Sequence, residues 1–245
     1  MTCGFARSDV TAPRVLAHRG AARVAPENTV EAFVAAGALG ADGVELDVHR
    51  TADGALVVHH DADARGVGVL AERLEAEIRA ARPEIPTLAE ALEACSGMLV
   101  NIEVKNLPGD ADYDPTDGVA AAVVQLLTRR GRRDDVLVSS FNLESADRVR
   151  DLDGSIPTGF LTLVGMDPLH GVEVAHAHGH GAFHPDVRAL AGDVAGATIA
   201  RAHELGMRVN VWTVNGEDEM RRLATAGVDA IITDVPDVAR RVLSG

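Results

Sequence analysis

The sequence predicts an α/β fold: a single (β/α)8 TIM barrel with a β-hairpin and a small insertion after its second strand. Three observations carry this. Short runs rich in Val, Ile and Leu alternate with Ala-rich segments of helical spacing; eight such runs occur; and no linker or longer repeat interrupts the rhythm. Eight-fold barrels run to about 250 residues as one unit, so the 245-residue length favours one domain over 1–245. The same periodicity suits an open doubly wound sheet, because alternation does not report closure.

The first strand is expected at Val15–His18, followed by a helix opened by Asn28-Thr-Val-Glu31, a capping-box pattern with Asn28 as the cap. Val44–Val48 is the second strand. Here the alternation breaks, because Glu45 to Asp61 reads as two strands joined at Asp53-Gly54, a strong two-residue hairpin signal. A two-residue loop there would set His60 directly across from Asp47. The remaining strands are expected at Leu99–Lys105, Val136–Phe141, Gly159–Leu163, Ala182–Pro185, Val209–Val214 and Ala230–Thr233. The acidic residues of Asn215-Gly-Glu-Asp-Glu suit a helix N-terminus before the last of these. The stretch from His170 to His184 holds five histidines without acidic partners at ligand spacing, and reads as a solvated helix end and loop.

Composition narrows the function. The formal charge of −14 repels phosphate backbones and leaves no basic stripe, which disfavours nucleic acid; an anionic substrate must be attracted locally. Aromatic residues make up only 3%, in keeping with small aliphatic barrel layers. Cys3 and Cys95 are too few to frame a disulfide scaffold. No signal-peptide run precedes Val15, and no stretch of about 18 apolar residues occurs, so a cytoplasmic location and no stable membrane anchor are expected.

Period-two alternation places Glu45 and Asp47 on one face of the second strand, and Asn101, Glu103 and Lys105 on one face of the third. Their apolar neighbours point to the helices, so the carboxylates face the barrel interior. Three ionised carboxylates together need positive charge, and an all-oxygen cluster is the usual site of a hard divalent cation such as Mg²⁺ or Ca²⁺, with Mn²⁺ as a further candidate. Ion pairs with barrel arginines are the plainer alternative. His18 and His60 end strands beside this cluster and could move protons near neutral pH. Arg19 and Lys105 offer fixed charge for phosphate oxygens, or could serve as simple salt-bridge partners.

His18-Arg19-Gly20, Pro26-Glu27-Asn28-Thr29, Glu45-Leu-Asp47, His60-Asp61, Asn101-Ile-Glu-Val-Lys105, Ser140-Phe141, Val211-Trp-Thr-Val-Asn215 and Thr233-Asp234 together resemble the ordered signatures of glycerophosphodiester phosphodiesterases. The resemblance spans nearly the whole chain. It implies a barrel with an insertion at approximately 61–86 and hydrolysis of small glycerophosphodiesters to glycerol 3-phosphate and an alcohol. It further implies a divalent metal held by Glu45, Asp47 and Glu103, with His18 and His60 as general acid and base. Arg19 and Lys105 would bind phosphate, Trp212 would lie against glycerol, and Asn28 would orient substrate or cap its helix. The nucleophile would be the glycerol 2-hydroxyl, giving a cyclic phosphate, or water directly. Where many members carry Arg-Thr-Thr after the His-Asp pair, this chain reads Arg65-Gly-Val-Gly68, so the resemblance does not specify the alcohol. Two other functions use the same residues: a lysophospholipase D-like or phosphoinositide-type phosphodiesterase acting on lipid, and a non-catalytic barrel that binds phosphate compounds. The chain has no basic amphipathic segment for the first, and the second needs no proton donors.

Overall fold

A computed structural model describes residues 12–131 and 135–244; Cys3 and residues 1–11 of the N-terminal stretch lie outside them. In chain order the elements are β1 (Arg14–His18), α1 (Val30–Ala38), β2 (Gly43–Arg50), β3 (Leu56–Val58), β4 (Asp63–Ala64), β5 (Gly68–Val69), α2 (Glu75–Ala81), α3 (Leu88–Ala94), β6 (Leu99–Val104) and α4 (Gly118–Arg130). They continue as β7 (Val136–Ser140), α5 (Leu143–Leu152), β8 (Thr158–Thr162), α6 (Pro168–Ala177), β9 (Ala182–Pro185), α7 (Val194–Glu204), β10 (Arg208–Val211), α8 (Glu217–Ala226), β11 (Ala230–Thr233) and α9 (Pro236–Leu243).

The sheet runs β1-β11-β10-β9-β8-β7-β6-β2, and β1 pairs again with β2, which closes the barrel. Every one of these neighbours is parallel. Closure excludes the open doubly wound alternative. Each of the eight apolar runs lies on one of these strands, to within a few residues at the ends, because strands covered by helices on one side and packed interior on the other are apolar nearly throughout. Outward residues such as Leu46, Val48, Ile102 and Val104 pack under α1, α3 and α4, and Val209, Val211 and Ile231 do the same under the helices of the other half. Inside the barrel, Leu16, Leu137, Ala182, Ala230 and Ile232 form a small apolar plug beneath the polar end. Gly43 is required at that level: a Cβ there would lie 2.3 Å from the carbonyl oxygen of Leu99 on the neighbouring strand.

Three local expectations need correction. β2 and β3 are antiparallel, but Val48 pairs with Val58 and Arg50 with Leu56, one residue away from the expected register. The loop holds three residues rather than two: Thr51 N–H donates to the Ala55 carbonyl at 2.9 Å, and Gly54 takes a left-handed φ of +85°. A turn followed by a left-handed residue is the common three-residue hairpin, so the Asp-Gly pair is used in its second half instead of filling the loop. His59, not His60, therefore stands across from Asp47, with His59 N–H donating to the Asp47 carbonyl at 3.1 Å.

The cap of α1 is Thr29, whose hydroxyl accepts from Ala32 N–H, while Asn28 lies before the cap and faces elsewhere. In the histidine-rich stretch, His170, His176 and His178 are exposed as expected, but His180 and His184 are buried. His184 lies on β9 and points inward, and burial pushes it down to about 3, so it is neutral.

Between β3 and α3 the chain forms the β4–β5 ladder, a short 3-10 turn and α2 around a separate apolar knot of Val57, Ala64, Leu70, Ile78 and Ile85. Cys95 is buried in the main core. Among the described residues, no helix is long and apolar enough to cross a membrane.

Candidate active site

Strand register assembles the acidic centre. Glu45 pairs with Asn101, Asp47 with Glu103, and His18 on β1 with Glu45, all side by side at the C-terminal end of the barrel. Glu45, Asp47 and Glu103 are buried, and one oxygen from each lies within 4.8 Å of the others. Around them a single cavity is lined by His18, Arg19, His60, Lys105, Trp212 and Phe141, with Asn101 and Leu161 deeper. Every site residue predicted from the sequence thus lines this cavity, apart from Asp47, which lies behind Arg19 and Lys105, and Asn28, which bonds to Asp47.

The loops hold the carboxylates in place. Arg19 and Asn28 both take left-handed φ values, +54° and +58°, which non-glycine residues adopt at a cost and which are frequent at functional sites. The turn aims Arg19 N–H at Glu45 Oε2, 3.1 Å away. Asn28 clamps Asp47 at two points: Nδ2 donates to Asp47 Oδ2 at 2.8 Å, and Oδ1 accepts from the Asp47 N–H at 3.3 Å. Asn28 therefore serves a neighbouring carboxylate and is not a cap.

Lys105 Nζ donates to Glu103 Oε1 at 2.9 Å and lies 3.5 Å from Asp47 Oδ1, while Arg19 pairs with Glu27 at 3.0 Å and approaches Asp47 at 3.4 Å. Two cations face three carboxylates, and the electrostatics register the shortfall. Burial, then the charge of Asp47, push Glu45 up to about 8 and raise Glu103 as well. Burial opposes ionisation of Asp47 too, but Lys105, Arg19 and His60 outweigh it and hold that carboxyl below its ordinary value. A divalent cation would replace the proton that Glu45 otherwise keeps and offset the repulsion that raises Glu103, and the hard, all-oxygen donor set fits such an ion.

Both histidines have an acidic partner on Nδ1. His18 Nδ1 lies 2.7 Å from Asp234 Oδ1, and Asn215 Nδ2 donates to the other Asp234 oxygen at 2.7 Å. His60 Nδ1 lies 2.6 Å from Asp61 Oδ1. Each ring is thereby oriented with Nε2 left for chemistry. Burial works to lower His18, yet the Asp234 hydrogen bond and the charge of Glu45 raise it above its ordinary value. For His60 burial prevails over the attraction of Asp47, and Lys105 and Arg19 add to the lowering.

Asp234, Asn215 and Asp61 sat inside recognised motifs without a role. Ala17 pairs with Thr233 across the closing strands, so an acidic residue just past β11 must meet His18; closure was the missing information. Trp212 donates from Nε1 to the His184 carbonyl at 2.9 Å and packs edge-on against Phe141 with centroids 5.3 Å apart, which fixes the indole at the cavity wall.

Residues 18–238 match the Glycerophosphoryl diester phosphodiesterase family. The chain belongs to this family. It is similar to the glycerophosphodiester phosphodiesterase of Caldanaerobacter subterraneus subsp. tengcongensis, 33% identical over 91% of this chain and 94% of the relative. The Bacillus altitudinis glycerophosphodiester phosphodiesterase is 32% identical over 94% of this chain and 97% of its own. Among solved structures, a putative glycerophosphoryl diester phosphodiesterase from Silicibacter pomeroyi superposes with a TM-score of 0.82 at 29% identity, covering 98% of this chain and 96% of the other. An Oleispira antarctica phosphodiesterase in complex with the product sn-glycerol-3-phosphate superposes equally well, TM-score 0.82 at 26% identity, covering 96% and 98%. As a member of the family this chain is a glycerophosphodiester phosphodiesterase, a phosphoric diester hydrolase.

Proposed function

We propose that the chain hydrolyses small, soluble glycerophosphodiesters to glycerol 3-phosphate and an alcohol, with His18 and His60 as its proton-transfer pair and a divalent cation, Mg²⁺ or Ca²⁺ first among candidates, at Glu45, Asp47 and Glu103. The observation that carries this reading is a cluster of three buried carboxylates at the wall of a cavity that also holds two histidines, each oriented through Nδ1 by its own aspartate. A phosphate-binding barrel without catalysis would need neither proton donor nor acceptor there.

When bound, the cation would supply Lewis-acid neutralisation of the negative charge on phosphate. Arg19 and Lys105 face the same cavity and hold the non-bridging oxygens, so that charge developing on them meets fixed donors. His60, lowered and so largely neutral near pH 7, takes the proton of the glycerol 2-hydroxyl as that oxygen bonds to phosphorus. His18, raised and so more readily cationic, donates its proton from Nε2 to the leaving alcohol as the P–O bond breaks. In the second half the roles reverse: His18 takes a proton from water, which attacks the cyclic phosphate, and His60 returns a proton to the 2-oxygen. Trp212, pinned by His184 and Phe141, offers a flat apolar wall to the glycerol carbons. Asn28 acts by orienting Asp47.

Release of glycerol 3-phosphate from glycerophosphocholine, glycerophosphoethanolamine and a lysophospholipid, compared with Mg²⁺, Ca²⁺ and Mn²⁺, tests the reading. His18→Ala and His60→Ala are expected to cut release to a small residual rate while the folded far-UV signal persists. Undiminished turnover in both variants, or full activity after exhaustive chelation, would reject it.

A further inference from the structure

β2 carries one inward residue beyond Asp47 that no step above uses. His49 is buried, with Nδ1 2.5 Å from Asp112 Oδ2 and Nε2 3.2 Å from the main-chain oxygen of His60. The His49 and Asp112 side chains are 1% and 3% exposed. A carbonyl oxygen only accepts, so His49 Nε2 donates to it; a second proton lies in the Nδ1···Oδ2 contact, where two bare lone pairs would repel. Asp112 Oδ1 is buried with no hydrogen-bond partner among the described residues.

Such a pair is a poor way to stabilise a fold. Taking two such polar side chains out of water costs free energy that their attraction need not return, and apolar side chains of similar volume would fill the space as well or better. Its position is informative. The β2–β3 ladder pairs residues up to Val58, and the last backbone bond toward β2 is the one from His59 N–H. His60 is the next residue, past the end of the ladder, and its peptide is the one that His49 grips. Asp112 in turn belongs to the segment between β6 and α4, which is held close by: Asn106 donates to the Asp114 carbonyl at 3.0 Å and accepts from Asp114 N–H at 2.8 Å. Three separate pieces of chain are thus stapled at the point where the His60 imidazole enters the cavity.

We propose that His49 and Asp112 are positioning residues for His60: they fix its peptide and so the direction of its ring. The proposal rests on the assignment of His60 to proton transfer. His49→Ala is expected to lower kcat about 100-fold, the scale of a misplacement of about 1 Å, while KM and the dissociation constant of the cation, measured by calorimetry, stay within about threefold. Asp112→Asn preserves the shape of the site, so it serves where His49→Ala fails to fold; it is expected to lower kcat at least about fivefold. In both variants the His60 imidazole resonance, assigned by its loss in His60→Ala, should move, while that of His18 does not. Because the staple acts through His60, adding His49→Ala to His60→Ala should leave residual turnover within about twofold. An unchanged kcat well below the melting temperature, or a rise in KM or in the cation constant as large as the fall in kcat, would overturn the proposal. Failure of the underlying assignment shows separately, as full turnover in His60→Ala itself.

Discussion

Loading the carboxylate site with a divalent cation should expel protons, and the amount follows from the geometry. Glu45, boxed in by burial and by Asp47, titrates at about 8 instead of its ordinary 4.5. At pH 7 it is then about nine-tenths protonated. Glu103 is raised by the same two causes, while Asp47, held low by Lys105, Arg19 and His60, adds no proton. A cation at this site should therefore release roughly one proton at pH 7, from Glu45. The sign for stability is fixed as well. A carboxyl raised on folding contributes its full share below about 4.5 and loses it as pH climbs to about 8, here roughly 5 kcal/mol for Glu45 taken alone. The cation-free protein should thus weaken across that window, and added Mg²⁺ or Ca²⁺ should raise the melting temperature more at pH 8 than at pH 5. Calorimetric titrations at pH 7 in two buffers of different ionisation enthalpy give the proton count directly. Tight binding with no buffer dependence, or a cation-free protein that gains stability from pH 5 to 8, would refute the reasoning.

Other outcomes follow from single contacts. Asp234→Asn removes the carboxylate whose hydrogen bond and charge raise His18, so the basic limb of the kcat profile should move to lower pH and kcat should fall about 10- to 100-fold; an unmoved limb would dissociate His18 from that ionisation. The acidic limb should lie below the ordinary histidine value of 6.5, because His60 is lowered by burial, and His60→Ala should abolish it. Asn28→Ala releases both points of the Asp47 clamp and is expected to weaken cation binding about 10- to 100-fold in calorimetry, with kcat at saturating cation much less affected. Gly43→Ala would push a methyl into the Leu99 carbonyl and should cost at least about 2 kcal/mol in denaturant unfolding.

What could be read from the residues follows the reach of each interaction. The eight strands and the inward set Glu45, Asp47 and Glu103 were legible because burial and period-two alternation are written into consecutive residues. The hairpin was legible but its register was not, since Asp53-Gly54 suits a two-residue loop and the end of a three-residue one equally, and one residue of loop length moves every pairing. Whether Asn28 caps its helix or serves the site was not legible, because the same short polar side chain can accept from a helix N–H or reach a carboxylate 19 residues away. The burial of His180 and His184 was hidden by counting them with exposed neighbours, although His184 lies on a strand already expected at Ala182–Pro185. Contacts across closure, such as His18 with Asp234, leave no local trace.

That last contact spans 216 residues. The first strand carries the imidazole and the end of the final strand carries the carboxylate that orients it, so the pair exists only after every intervening βα unit has been laid down in order and the ring of strands has shut. On a chain emerging progressively from synthesis, the acidic centre at Glu45, Asp47 and Glu103 is available less than halfway through, long before the proton-transfer apparatus is complete. Premature termination between Glu103 and Asp234 would leave all three carboxylates in the chain yet omit the orienting partner of His18. The orientation of His18 is thereby tied to completion of the fold.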